Sequence, residues 1–155
     1  MNPLLFFFYT AVSSLIFVDQ LAKHVILQKL TLGESLPVLP DIFHLTLVHN
    51  RGIAFGLFGG FDQLLFVTIT VSILVLAVIG HRLWRGSADP FLTLNRVAIA
   101  LIFSGAVGNW LDRLRYGAVI DFLDFRIWPV FNVADTAISI GVGLYLIHFF
   151  KQPSA

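Results

Sequence analysis

The sequence predicts an all-α membrane fold: four transmembrane helices carrying a small extracytoplasmic antiparallel β-sheet. Three observations predict it. Of 155 residues, 57% are hydrophobic and only 12% charged, and the mean hydropathy is +0.87, too apolar for a water-soluble domain. Four apolar segments, Met1 to Val18, Gln63 to Gly80, Val97 to Leu111 and Thr136 to Phe150, each exceed the length of a usual strand. Between the last two, the stretch from Gly108 to Asp135 gathers Asp112, Asp121, Asp124 and Asp135. Its flanking apolar runs are about fifteen residues each, or about 22 Å of helix against about 30 Å of hydrocarbon, so they must borrow residues from the acidic stretch to span. An ionisable group costs about 2.5–3.5 kcal/mol at the centre of a membrane helix and less toward the boundary, so its presence there points to function.

One domain is expected over 1–155, with spans at about 3–24, 62–82, 96–114 and 132–150. Leu4 to Tyr9 followed by Ala11-Val12-Ser13 has the look of a signal peptide. No Lys or Arg precedes it, however, and Leu15 to Val18 carries the apolar run onward, so it reads as a retained first span. Asp19, Gln20 and Lys23 close that span, and the four-residue spacing puts Asp19 and Lys23 on one helix face as an ion pair.

The connection from His24 to Asp62 is rich in Gly and Pro, while Phe43 to Leu47 alternates apolar and polar. That pattern predicts a strand in a small sheet whose apolar face rests on the bilayer or on the helix bundle. His49-Asn50-Arg51-Gly52 ends the strand in a turn that draws on the tolerance of Asn and Gly for positive φ. The second and third spans are joined by His81 to Arg96, with Gly86, Ser87 and Pro90 as breakers. Arg82, Arg85 and Arg96, with Lys151 on the same face, make that face cytoplasmic by the positive-inside rule, together with both termini. Lys23, Lys29, Arg51, Arg113, Arg115 and Arg126 lie on the other face and outnumber them, with several expected to be held by partners. Trp84 at one boundary, and Trp110, Tyr116 and Trp128 at the other, fit interfacial belts.

Asn109, Asp112 and Arg113 share a face near the end of the third helix. Asn132 suits the N-cap of the fourth, with Asp135 in its first turn. The ends of helices one and three and the start of helix four all reach the same side, which makes Asp121 and Asp135 candidates for a facing pair. Two carboxylates a few ångströms apart in a low dielectric share one proton, the working state of an aspartic peptidase. Asp121-Phe122 and Asp124-Phe125 repeat the same pair, and periodicity does not separate them.

Other chemistries fit less well. Zero cysteines exclude disulfides, thiolate metal sites and cysteine nucleophiles. The net charge of +1, with scattered basic residues, gives no reason to expect nucleic acid. The five histidines are dispersed with no H-E-x-x-H, so neither a metal nor another cofactor is expected. Ser104 has no histidine at a useful helical spacing, and the second span offers only hydroxyls for a transport path.

Five blocks in order resemble the bacterial lipoprotein signal peptidases, the signal peptidase II family of aspartic membrane peptidases. They are Asp19-Gln20-x-x-Lys23, Asn50-Arg51-Gly52-Ile53-Ala54-Phe55-Gly56, Gly108-Asn109-x-x-Asp112-Arg113, Gly117-x-Val119-x-Asp121-Phe122 and Phe131-Asn132-x-Ala134-Asp135. The resemblance covers almost the whole chain and implies, beside the four helices and the sheet, a short extracytoplasmic helix or loop. It implies Asp121 and Asp135 as the catalytic dyad, with Asp19, Lys23, Asn50, Gly52, Asn109, Arg113, Asn132 and Ala134 supporting or lining the site. By the same match Asp124 is left as an interfacial acid. The implied substrate is a prolipoprotein signal peptide, cut just before its diacylglyceryl-cysteine. A monomer in membrane lipid, inhibited by globomycin-type peptides and with its site near the extracytoplasmic face of the bacterial inner membrane, completes the expectation.

Overall fold

The computed structural model describes residues 3–52, 62–85 and 93–150. Four long helices, α1 (Pro3–Lys29), α2 (Asp62–Arg85), α3 (Thr93–Tyr116) and α4 (Val133–Phe150), are each long and apolar enough to cross a membrane. Three strands, β1 (Ser35–Leu39), β2 (Phe43–Asn50) and β3 (Val119–Asp124), form one antiparallel sheet in that order. The Ile53 to Gly56 part of the second motif, the breakers Gly86, Ser87 and Pro90, and Lys151 lie outside the described residues. No short helix beside the four spans occurs among the described residues.

Both short apolar runs do borrow from the acidic stretch: α3 reaches Tyr116 and α4 begins at Val133. α1 continues to Lys29, so the long connection starts at Leu30. The added turns are used, because Ile26 and Leu30 pack against Leu47 of β2 and Ile120 and Phe122 of β3. The apolar face of the sheet therefore rests on the end of α1.

α3 is the hub and packs against the other three helices. Glycines let its backbone approach α4 closely: a Cβ at Gly105 would run into the carbonyl oxygen of Ala134, and one at Gly141 would lie 2.8 Å from the carbonyl of Ala98. At the far end of the bundle Phe8, Val12, Trp84 and Ala100 form a separate apolar cluster.

Several expectations need correction. β3 was not foreseen as a strand. Trp84 is buried against Phe7 and Phe8 and is no belt residue, and the indole N–H of Trp110 donates to Thr70 Oγ1 at 2.9 Å, tying α3 to α2. Tyr116 and Trp128 are exposed as a belt requires. Positive φ falls at Gly33, Asp41, Gly117 and Arg126 and not at Asn50, which stays extended as the last residue of β2. Arg96 is buried, its Nε donating to the carbonyl of Leu83 at 3.1 Å.

Candidate active site

The site is assembled where α1 and α3 end, α4 begins and β3 passes between them. Local chemistry starts α4. The Asn132 side-chain oxygen accepts from the N–H of Asp135 at 2.8 Å, while Asp135 Oδ2 accepts from the N–H of Asn132 at 3.3 Å. This is a reciprocal capping box, and it sets the Asp135 carboxylate at the positive end of the helix dipole. A second free N–H of the first turn, that of Ala134, donates to Asp19 Oδ1 of α1 at 2.9 Å.

β3 is brought alongside this cap by a closed return. Leu123 and Phe131 bridge, with Phe131 N donating to Leu123 O at 3.1 Å and Leu123 N to Phe131 O at 2.7 Å. The chain thus comes back beside β3 one residue before Asn132. On the other side β2 carries an irregularity between Leu45 and Val48, after which Val48 faces Asp121 and Asn50 faces Val119. Asn50 is then the diagonal neighbour of Asp121 on one face, and its Nδ2 reaches Asp121 Oδ2 at 3.1 Å.

Asn132 joins the two acids: its Nδ2 donates to Asp121 Oδ1 at 2.7 Å, and its backbone N–H serves Asp135. Asn109 of α3 completes the frame. Its Nδ2 donates to Asp135 Oδ1 at 2.7 Å, and its side-chain oxygen accepts from Lys23 Nζ and Asn132 Nδ2, both at 3.1 Å. Those two donors orient the Asn109 amide so that its nitrogen must face Asp135.

Behind the frame lies a buried ion cluster. Lys23 Nζ lies 2.8 Å from Asp19 and 2.6 Å from Asp112. Gly108, lacking a Cβ, leaves room for Asp19, whose Oδ2 would otherwise meet it at 2.7 Å. Arg113 is half-buried and reaches the carbonyl of Gly52 at 3.1 Å and that of Asn109 at 3.3 Å. Gly52 returns its own N–H to Asn50 Oδ1 at 3.1 Å, which steadies that amide.

Asp121 is buried at 2% exposure, while Asp135 is partly open. Burial, reinforced by the charge of Asp135, pushes the Asp121 carboxyl up to about 7 against the hydrogen bonds from Asn50 and Asn132 and the charge of Lys23. A carboxyl poised there can take up and release a proton at neutral pH. Among the described residues no group of three or more His, Asp or Glu side chains is placed to hold a metal ion. The Ser104 hydroxyl donates to the carbonyl of Leu101 in its own helix at 3.0 Å.

All ten residues singled out from the sequence therefore lie in one connected network. Asp124 does not join it. It is buried within the protein and accepts from Thr46 Oγ1 at 2.7 Å and from the N–H and guanidinium of Arg126 at 2.8 and 3.0 Å. Burial raises its carboxyl, but those donors outweigh it and hold the group below the usual carboxylate range. Asp112 and Gln20, grouped with these residues by helix position but given no role at the site, join the network too, and Arg115 with them. Gln20 Nε2 donates to Asp112 Oδ1 at 2.9 Å and to Asp19 Oδ2 at 3.2 Å, and its oxygen accepts from Arg115 at 2.7 Å. The signal was present for Asp112 and Gln20, since both stand inside the quoted motifs.

The sequence profile of the family described as Signal peptidase (SPase) II matches residues 11–151. A lipoprotein signal peptidase of Halothermothrix orenii is 43% identical over 144 residues, covering 93% of this chain and 95% of that protein. One of Moorella thermoacetica is 48% identical over 125 residues, covering 81% and 80% respectively. A solved bacterial membrane enzyme superposes with a TM-score of 0.82 at 29% identity, covering 96% of this chain and 93% of the other.

Proposed function

The chain belongs to the signal peptidase II family and is a multi-pass membrane peptidase of lipoproteins, and from that premise we propose that it works by an aspartic dyad of Asp121 and Asp135. The observation that carries this reading is Asn132, which holds one carboxylate by its side-chain amide and the other by its backbone N–H. The pair shares one proton. The ionised member takes a proton from water, whose oxygen attacks the scissile carbonyl, while the protonated member gives its proton to the carbonyl oxygen. Collapse of the tetrahedral intermediate breaks the C–N bond as the leaving nitrogen takes up the proton drawn from water, and a hydroxyl proton of the intermediate returns to the carboxylate that gave one, restoring the shared proton. The supporting roles follow the network: Asn109 and Asn132 orient the acids, Asn50 and Arg113 meet the extended peptide main chain, and Lys23, Asp19, Gly52 and Ala134 form the wall.

The bond cut is the one just before the diacylglyceryl-cysteine of a prolipoprotein. The signal helix lies along the bundle and the acyl chains stay in lipid, so affinity comes mainly from apolar contact. Orientation follows from charges that are already engaged. Four of the six basic residues on the site side are held: Lys23 by Asp19 and Asp112, Arg113 by two carbonyls, Arg115 by Gln20 and Arg126 by Asp124. Arg96 on the other face is held too, by the carbonyl of Leu83, which leaves Arg82, Arg85 and Lys151 against Lys29 and Arg51 and supports an extracytoplasmic site with both termini cytoplasmic. The enzyme acts as a monomer and is a target for globomycin-type inhibitors.

The test is cleavage of a diacylglyceryl-modified prolipoprotein by the purified protein in detergent with EDTA present. Wild type cleaves, and Asp121→Asn and Asp135→Asn each lose at least about 10³-fold in kcat while remaining folded. An active Asp121→Asn sinks the dyad assignment, and abolition of wild-type cleavage by EDTA sinks the aspartic class.

A further inference from the structure

The proposed mechanism uses Asp121 and Asp135 but gives no task to Asp112, a carboxylate with no exposed surface. Burying it is costly unless every oxygen is satisfied. Oδ2 takes Lys23 Nζ at 2.6 Å and the backbone N–H of Ile120 at 3.2 Å, and Oδ1 takes Gln20 Nε2 at 2.9 Å.

Two of those partners lead to the acids. Ile120 immediately precedes Asp121 in β3, so its N–H anchors the strand at the residue next to that carboxylate. Lys23 donates to the Asn109 oxygen, and Asn109 in turn donates to Asp135. We propose that Asp112 is a positioning residue for the reaction: from one carboxylate it pins β3 beside Asp121 and holds Lys23 in the place that orients Asn109 toward Asp135. This rests on the aspartic-dyad reading.

Charge adds a second consequence. Asp19 and Asp112 together balance Lys23 and Arg113, so loss of either carboxylate leaves a surplus positive charge behind the acids. A surplus of that sign opposes retention of the shared proton. The charged and titratable groups facing the acids are Asp19 and Lys23 from α1 and Asp112 and Arg113 from α3; His49 of β2 pairs with Ile120, on the other face of the sheet from Asp121. Replacing Asp112 by Asn leaves Lys23 with Asp19 alone and gives the groups behind the acids a net positive charge. The dyad then loses its proton at lower pH, and the alkaline limb of the activity profile moves toward acid.

The experiment compares Asp112→Asn, Asp112→Glu and Gln20→Met with wild type and Asp121→Asn in the same cleavage assay, per folded molecule, across pH 5–9. Asp112→Asn is expected to lower kcat about tenfold with KM within twofold, and to shift the alkaline limb acidward by about one pH unit. Asp112→Glu keeps the charge, so its limb stays at the wild-type pH while kcat falls. Gln20→Met, which removes one donor to Asp112 without altering charge, lowers kcat about threefold and carries the test if Asp112→Asn fails to fold. Wild-type kcat and an unshifted limb in folded Asp112→Asn overturn the proposal, as does loss confined to folded yield. Unchanged kcat in Gln20→Met overturns it where Asp112→Asn gives no folded protein. An active Asp121→Asn control removes the dyad reading, and this proposal with it; a silent control beside a neutral Asp112→Asn removes this proposal alone.

Discussion

One six-residue strand begins the same dipeptide, Asp-Phe, twice, at its third residue and toward its C-terminal end at its last, and the two acids meet opposite fates. At Asp121 the partners are neutral amides and a second carboxylate, and burial lifts the acid to about 7. At Asp124 a hydroxyl, a backbone N–H and an Arg guanidinium surround the carboxylate and hold it ionised. A buried carboxylate becomes reactive when its donors are uncharged and its nearest charge is of its own sign; given a cation it becomes a brace.

The contrast can be broken most sharply by exchanging which acid is neutralised. Asp124→Asn is expected to keep cleavage within about threefold of wild type, against the near-complete loss expected for Asp121→Asn. Equal losses in the same assay would erase the distinction between the two acids.

Next in size is removal of the amide that distinguishes Asp121. Asn132→Ala takes away the N-cap of α4, worth about 1 kcal/mol, and a hydrogen bond to a carboxylate worth about 1.5–3 kcal/mol. Activity should fall about 10- to 100-fold, together with a lower thermal midpoint in detergent; retention of full activity would show that the bridge is dispensable.

Stability against pH sharpens the comparison because the two acids contribute with opposite sign. Asp121 titrates near 7 when folded and in the ordinary carboxylate range when unfolded, so the folded state holds the extra proton in between. Its stabilisation is full below about pH 4 and is lost as pH rises through about 7, about 4 kcal/mol at most. Asp124 does the reverse, stabilising above about pH 4 and losing that as pH falls through its depressed folded value. The thermal midpoint of wild type should decline from pH 4.5 to 7.5, and Asp121→Asn should flatten that decline; an unchanged slope would mean that Asp121 is ionised throughout.

The smallest effect belongs to Arg126, which is 49% exposed at its side chain and 3.0 Å from Asp124. Arg126→Gln should cost under about 1 kcal/mol of stability and leave cleavage unchanged. A large loss of activity would tie Asp124 to the chemistry after all.

Much of this was legible before any coordinates. Helix spacing paired Asp19 with Lys23, cap chemistry placed Asn132 and Asp135, and the motif order singled out ten residues that prove to touch through one network. β3 was not legible, because Val119 to Asp124 is covered on both faces and so lacks the alternation that marks a half-exposed strand. Asp112 and Gln20 were grouped correctly but given no role, for another reason: periodicity says which face of a helix a residue occupies, never which partner waits there. The cover of Asp124 was not legible because it comes from Thr46, seventy-eight residues earlier in the chain.

The return from β3 to α4 has a practical side. Because Leu123 and Phe131 close its base, the excursion between them is a loop whose length the acids do not feel. Ile127 at its tip is 93% exposed. A fluorophore or a short peptide tag grafted there would ride within a few residues of the site yet leave its geometry alone, giving a vantage point from which to watch an arriving signal sequence in real time.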